Sequence, residues 1–144
     1  QDEFSVDAPL GADPRQAGRM RVDRHNGKKS RTEFTVVERF REYALLCCRP
    51  LTGRTHQIRV HLASLRLSIT GDTLYRGRAL LLSRLKRKYQ LKPGEVERPL
   101  IDRVALHAAE LTVTHPATGA AVLRSRCRLP FACWKFLARQ FQPA

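Results

Sequence analysis

Between residues 31 and 49 the apolar positions change rhythm once, and the change marks a hairpin. Thr32, Phe34 and Val36 alternate with charged or polar neighbours over residues 31–40, and residues 43–49 form a nearly continuous apolar run. Arg41-Glu42 separates the two runs and Pro50 closes the second, so the pattern predicts two strands joined around residues 39–42. Thr52-Gly53 then turns the chain into a predicted helix over about residues 55–66, where Ile58, Leu62 and Leu65 form the expected buried stripe. Arg59 lies one residue, about 100°, off that stripe, which puts it at the edge of the core and facing a cleft. A second helical period over residues 79–89 sets Leu81, Leu82 and Leu85 on one face and Arg84, Lys86, Arg87 and Lys88 elsewhere. That basic face either docks a polyanion or is simply solvated. Residues 92–99 read as a loop, and residues 105–114 and 120–129 as strands joined at His115-Pro116-Ala117-Thr118-Gly119. Pro130 opens a last predicted helix over residues 131–142, with Trp134, Leu137 and Phe141 at helical spacing for packing on a sheet. Residues 1–19, punctuated by Pro9, Gly11, Pro14 and Gly18, lack periodicity and read as an extended lead-in segment. The expected fold is α/β (α+β) in content: a mixed, largely antiparallel sheet with flanking helices.

Composition narrows the partner. A hydrophobic content of 42% supports a real core and excludes disorder throughout. The net charge of +14 is uneven, because Asp2, Glu3, Asp7 and Asp13 all precede the first base, Arg15. Such a surface suits a polyanion such as a nucleic acid, with a solubilising basic surface as the plainer reading. Arginine outnumbers lysine 21 to 6, which favours planar, bidentate phosphate recognition and stacking on bases. No apolar run reaches the length of about 20 residues that spans a bilayer, so no membrane partner is expected. Cys47, Cys48, Cys127 and Cys133 show no C-x-x-C spacing and read as buried thiols of a reducing compartment. His56 and His61 lie five apart, about 140° around a helix, which is wrong for a shared metal; no metal site is expected.

The stretch Thr52-Gly53-Arg54-Thr55-His56-Gln57-Ile58-Arg59-Val60-His61-Leu62 crowds two arginines and two histidines around a helix start. Cations there oppose the helix dipole unless an anion joins them, so Arg54 reads as a phosphate ligand. The stretch resembles the G-R-T-H-Q-[IL]-R-V-H signature of the RluA-type RNA pseudouridine synthases. Further pieces follow in family order: Gly27-Lys28-Lys29-Ser30-Arg31-Thr32 is similar to G-K-x-A-x-T, Gly71-Asp72-Thr73-Leu74-Tyr75 to G-D-x-x-Y, Leu106-His107-Ala108 to L-H-A, and His115-Pro116 to H-P. Together they cover roughly residues 7–135. The family's H-R-L-D-R-x-[TS]-[ST]-G and K-x-Y-x-A motifs, which carry its essential aspartate and tyrosine, do not occur in these 144 residues. Arg21-Val22-Asp23-Arg24 matches the first only superficially, and Asp23 reads as a surface turn carboxylate. The expectation is therefore that residues 1–144 are the C-terminal portion of one pseudouridine synthase catalytic domain, inactive alone, whose missing N-terminal part is a partner.

The resemblance implies uridine-to-pseudouridine isomerisation in RNA, ribosomal RNA first, by a cytoplasmic or organellar enzyme without cofactor or metal. The target base must be flipped into a pocket and the phosphates held. By resemblance, Arg59 is the catalytic candidate that pairs with the essential aspartate, and Arg54 the phosphate ligand, although the two roles are exchangeable at this stage. Lys28, His56, Gln57, Leu106 and His107 complete the expected RNA-binding set. Leu106 matches the aliphatic residue beside the flipped base. His107 either supports that pocket or is a satisfied core histidine, and Gln57 either bonds RNA or caps backbone groups. Where the family continues L-G-H-P-I, this chain has Leu65-Arg66-Leu67-Ser68-Ile69, which loses the glycine expected at a tight helix exit and offers Arg66 as an extra RNA contact. The alternative function is a non-catalytic basic RNA-binding or ribosome-assembly module on the same scaffold.

Overall fold

The computed structural model describes residues 2–40, 42–86 and 89–126. These residues fall into two units, divided between Ala105 and Leu106. The hairpin is present: β4 (Arg31–Arg39) pairs antiparallel with β5 (Ala44–Pro50), with Phe34 opposite Cys48 and a register shift between Val36 and Glu38. Thr32 and Phe34 are buried on its core face, as alternation requires. The lead-in segment is not structureless. Its first part is β1 (Glu3–Asp7), which pairs antiparallel with β4 and completes a three-stranded sheet of order β1-β4-β5. Phe4 stacks on Phe34 with ring centroids 4.9 Å apart, and Val6 joins the same core. Strands β2 (Leu10–Ala12) and β3 (Met20–Val22) form a separate two-stranded ribbon. Phe4, Val6, Ala8 and Leu10 do alternate, but the proline and glycine punctuation hides so short a period.

Helix α1 (Gln57–Ser64) is shorter than its sequence pattern, and its buried side differs too. Leu62 enters a core with Val6 and Phe34, whereas Val60 enters another with Leu10 and Tyr75. The helix thus bridges sheet and ribbon, and each such apolar side chain contributes about 1.5–3 kcal/mol of burial. Gln57 and His61 are buried between these apolar contacts, Ile58 packs at the margin, and Leu65 is 44% exposed because α1 has ended. Its exit is tight despite the missing glycine. Arg66 itself takes the left-handed conformation (φ 62°), while its N–H bonds to Ala63 O and that of Leu67 to Leu62 O. This pair of bonds is a Schellman closure with arginine at the usual glycine position.

The second predicted helix reduces to one turn, α2 (Leu82–Leu85). The local anchor is buried Leu80, whose carbonyl accepts from Leu100 N. Cys47 is exposed, contrary to expectation, since neighbours on a strand face opposite ways; Cys48 packs toward Phe34, where burial raises its thiol to about 11. In the second unit, β6 (Glu110–Thr114) pairs antiparallel with β7 (Ala121–Arg126), and Gly119 (φ 67°) closes the turn. Cys127, Cys133 and the last predicted helix lie outside the described residues. All strand pairs among the described residues are antiparallel, with helices beside them. The fold is α+β.

Candidate active site

A buried polar chain fixes the start of α1 to β4. Gln57, 4% exposed, donates through Nε2 to Arg31 O and Thr32 Oγ1, both at 2.9 Å, and its Oε1 accepts from Thr52 Oγ1 at 2.8 Å and Arg54 N at 3.1 Å. One turn on, His61 Nε2 lies 3.0 Å from Ala8 O and therefore carries the proton, since a carbonyl only accepts. Its Nδ1 must then accept from Thr32 Oγ1 at 2.8 Å, so each group from Ala8 O to Thr52 has a consistent direction. Ser30 Oγ, which donates to Ala8 O, sits 3.2 Å from the same His61 nitrogen. Burial holds the His61 pKa below its usual value, which keeps the neutral ring this chain needs. Ser30 and Thr32 of the first motif thus meet Gln57 and His61 of the second.

The exposed side of the same turn carries the cations. Arg54 is exposed, and its Nε donates to Lys29 O at 3.2 Å; among the described residues its two Nη groups have no hydrogen-bond partner. His56 opens α1 in the left-handed conformation (φ 54°), without a side-chain cap, and no acid follows in the first turn. Its Nδ1 lies 2.9 Å from Tyr75 Oη, and that hydroxyl already accepts from Met20 N at 2.9 Å. The hydroxyl keeps its own proton to donate to His56 Nδ1, an arrangement that pairs with the tautomer whose Nε2–H is the imidazole's outer donor. Burial, then the Arg59 charge, lowers the His56 pKa and favours this neutral form.

Arg59 is a fork held on one side. Its Nε donates to Asp72 Oδ2 at 2.8 Å and its Nη2 to Asp72 Oδ1 at 2.7 Å, with the guanidinium carbon 4.9 Å from the centre of the Tyr75 ring. Asp72 is 1% exposed, against 18% for the Arg59 side chain. The hydrogen bond that Arg59 donates to Asp72, ahead of opposing burial, raises the Arg59 pKa. Asp72 begins a tight loop through the 3-10 turn Thr73–Tyr75, its carbonyl accepting from Tyr75 N and Gly77 N. A Cβ at Gly77 would lie 1.9 Å from Ile69 O, so only glycine fits that close approach.

Arg54, His56 and Arg59 thus share one unit with Lys28, whose side chain is exposed. Gln57 follows the capping reading: both its polar atoms are spent inside, on capping and on β4. Leu106 and His107 fall in the second unit. Asp23 closes a turn, its Oδ1 accepting from His25 N and Asn26 N, and these bonds lower its pKa. Asp72 and Tyr75 stood in the sequence only as letters of G-D-x-x-Y, and Arg19, 5.7 Å from the Tyr75 ring centre, carried no signal at all.

Residues 1–64 match the family described as RNA pseudouridylate synthase. The chain is 42% identical over 118 residues to the ribosomal large subunit pseudouridine synthase D of Nitrosomonas europaea, covering 82% of this chain and 31% of that protein. It is 41% identical over 121 residues to the enzyme of the same name from Xanthomonas campestris, covering 84% and 35%. The chain belongs to the RNA pseudouridylate synthase family, in its RluA-type branch. The chain spans about a third of the length of the curated relatives it matches. In fold it resembles human RNA pseudouridylate synthase domain containing 1, with a TM-score of 0.67 at 24% identity, covering 100% of this chain and 54% of the other. The family match ends with α1 at Ser64 and so includes Arg54 and Arg59 but stops short of Asp72. No helix among the described residues is long and apolar enough to cross a membrane.

Proposed function

We propose that this chain supplies the arginine side of an active site that isomerises uridine to pseudouridine in RNA, ribosomal RNA first. The observation that carries the reading is the Arg59 fork. Asp72 occupies Nε and one hydrogen of Nη2, so Nη1 and the other Nη2 hydrogen remain to meet a second carboxylate. That carboxylate is the essential aspartate, which the reading assigns to a residue outside these 144 and to the same catalytic domain. Paired with Arg59 it is oriented and kept ionised, ready to serve while the glycosidic bond breaks, the uracil turns and C5 joins the ribose. No metal or cofactor takes part.

The target base must leave its stack, and holding phosphates stabilises the extruded strand. Arg54, with two exposed Nη groups, takes a phosphate, with Lys28 nearby in sequence to the backbone it bonds; His56 offers Nε2–H to an RNA oxygen. Leu106 and His107 line the base pocket by resemblance alone. The compartment is the cytoplasm, or an organelle with its own ribosomes. A non-catalytic basic RNA-binding module on the same scaffold is the second reading. Tritium release from RNA labelled at uridine C5 separates them. The intact synthase releases tritium and the 144-residue chain alone does not; an inactive intact protein supports the binding module, and release by the 144 residues alone refutes the shared-site reading and revives Asp23 as a candidate nucleophile.

A further inference from the structure

We infer that Asp72 is a positioning residue for the reaction, acting on the essential aspartate only through Arg59. The inference rests on the synthase reading above and names what makes its arginine competent. An arginine side chain has several rotatable bonds and reaches one geometry only if something fixes the plane of its head. Here the side-on contact at 2.8 and 2.7 Å fixes that plane, with the Tyr75 ring 4.9 Å from the guanidinium carbon. Tyr75 is itself fixed at its hydroxyl by Met20 N and His56 Nδ1. Asp72 is held by its loop, where Gly71 (φ 76°) and Gly77 make the close approaches to Arg103 O and Ile69 O.

Stability gives a poor reason for such an arrangement. Desolvating a carboxylate to 1% exposure offsets much of the attraction gained, and buried ion pairs are often replaceable by apolar residues without loss. What the pair does supply is direction. With one edge of the fork filled by Asp72, the other edge is the only one left for a second carboxylate, and its plane is set before RNA arrives. A displacement near 1 Å at a reacting geometry costs about 100-fold in rate.

Single-turnover isomerisation at saturating RNA tests this in the intact synthase, with RNA affinity and melting temperature measured beside it. Asp72→Asn and Asp72→Glu are expected to slow the reaction about 10- to 100-fold, with RNA affinity changed less than about twofold. The second variant keeps the charge but moves it by a methylene, so it remains informative if the first does not fold. Combining Asp72→Asn with Arg59→Lys is expected to cost little beyond Arg59→Lys alone, because one pathway is being cut twice. A purely structural role would lower the melting temperature and leave the rate of the folded enzyme intact. Wild-type rates in folded Asp72→Asn and Asp72→Glu, beside a slow Arg59→Lys, overturn the inference and leave the synthase reading standing. Losses that multiply in the double variant overturn it as well. A normal Arg59→Lys together with a normal Arg59→Ala, or an inactive wild type, overturns both.

Discussion

The residues that look most like ligands in the sequence divide, once folded, into those that face out and those that hold them. Gln57 and His61 stand beside Arg54 and Arg59 in an eleven-residue stretch, yet both are buried in a chain of hydrogen bonds that reaches Thr32, Ser30 and Ala8. Spacing along a helix cannot reveal this, because the partners lie 25 to 53 residues away. The arginines stood out in the sequence as candidates, and the aspartate that fixes one of them did not, since a carboxylate in a loop motif has many uses. Thr32→Val keeps the shape but strands His61 Nδ1 and one of the two Gln57 Nε2 hydrogens. It should cost about 2–3 kcal/mol in urea unfolding, with Gln57 retaining its other bond to Arg31 O. The histidines add a pH signature. Folding lowers the pKa of His56 and His61 below the ordinary 6.5, so below that pH the unfolded chain binds more protons than the folded one. Stability should therefore hold above pH 6.5 and fall as the pH drops from there, before the carboxylates begin to protonate. A urea midpoint constant from pH 7.5 to 5 would contradict this.

At the scale of elements, the hairpin and the helix start were readable because each has several residues of one period. β1 was not, because five residues between punctuation marks carry too few alternations to stand out. α1 starts two residues later and ends two residues earlier than its pattern, and its buried side follows two cores on either flank of the helix, which a single apolar stripe does not describe. The exit at Arg66 is where sequence and geometry disagree most usefully. The left-handed turn forms without its glycine, so its strain stays in the folded state. Arg66→Gly should raise stability by about 0.5–1 kcal/mol in urea unfolding, the relief of strain exceeding the entropy glycine adds to the unfolded chain. If Arg66 also meets RNA, the same variant binds RNA more weakly while being more stable. Destabilisation would show that the arginine side chain holds the turn by contacts of its own.

Across the whole molecule, charge and motif order pointed to one class of partner before any geometry was known. The family assignment agrees with that order, and the antiparallel α+β content follows from the hairpin pattern. With a net charge of +14, RNA binding should weaken steeply as salt rises, because each neutralised phosphate releases counterions. Arg54→Ala should reduce the slope of log K against log salt by about one unit and weaken binding across sequences. A slope unchanged by the substitution would remove Arg54 from the RNA. The central claim is narrower: Arg59, held by Asp72, holds the essential aspartate. Its most direct test is the single-turnover rate of uridine isomerisation at saturating RNA by the intact synthase carrying Arg59→Ala. The account predicts a fall of orders of magnitude with RNA affinity nearly unchanged, and a wild-type rate would contradict it.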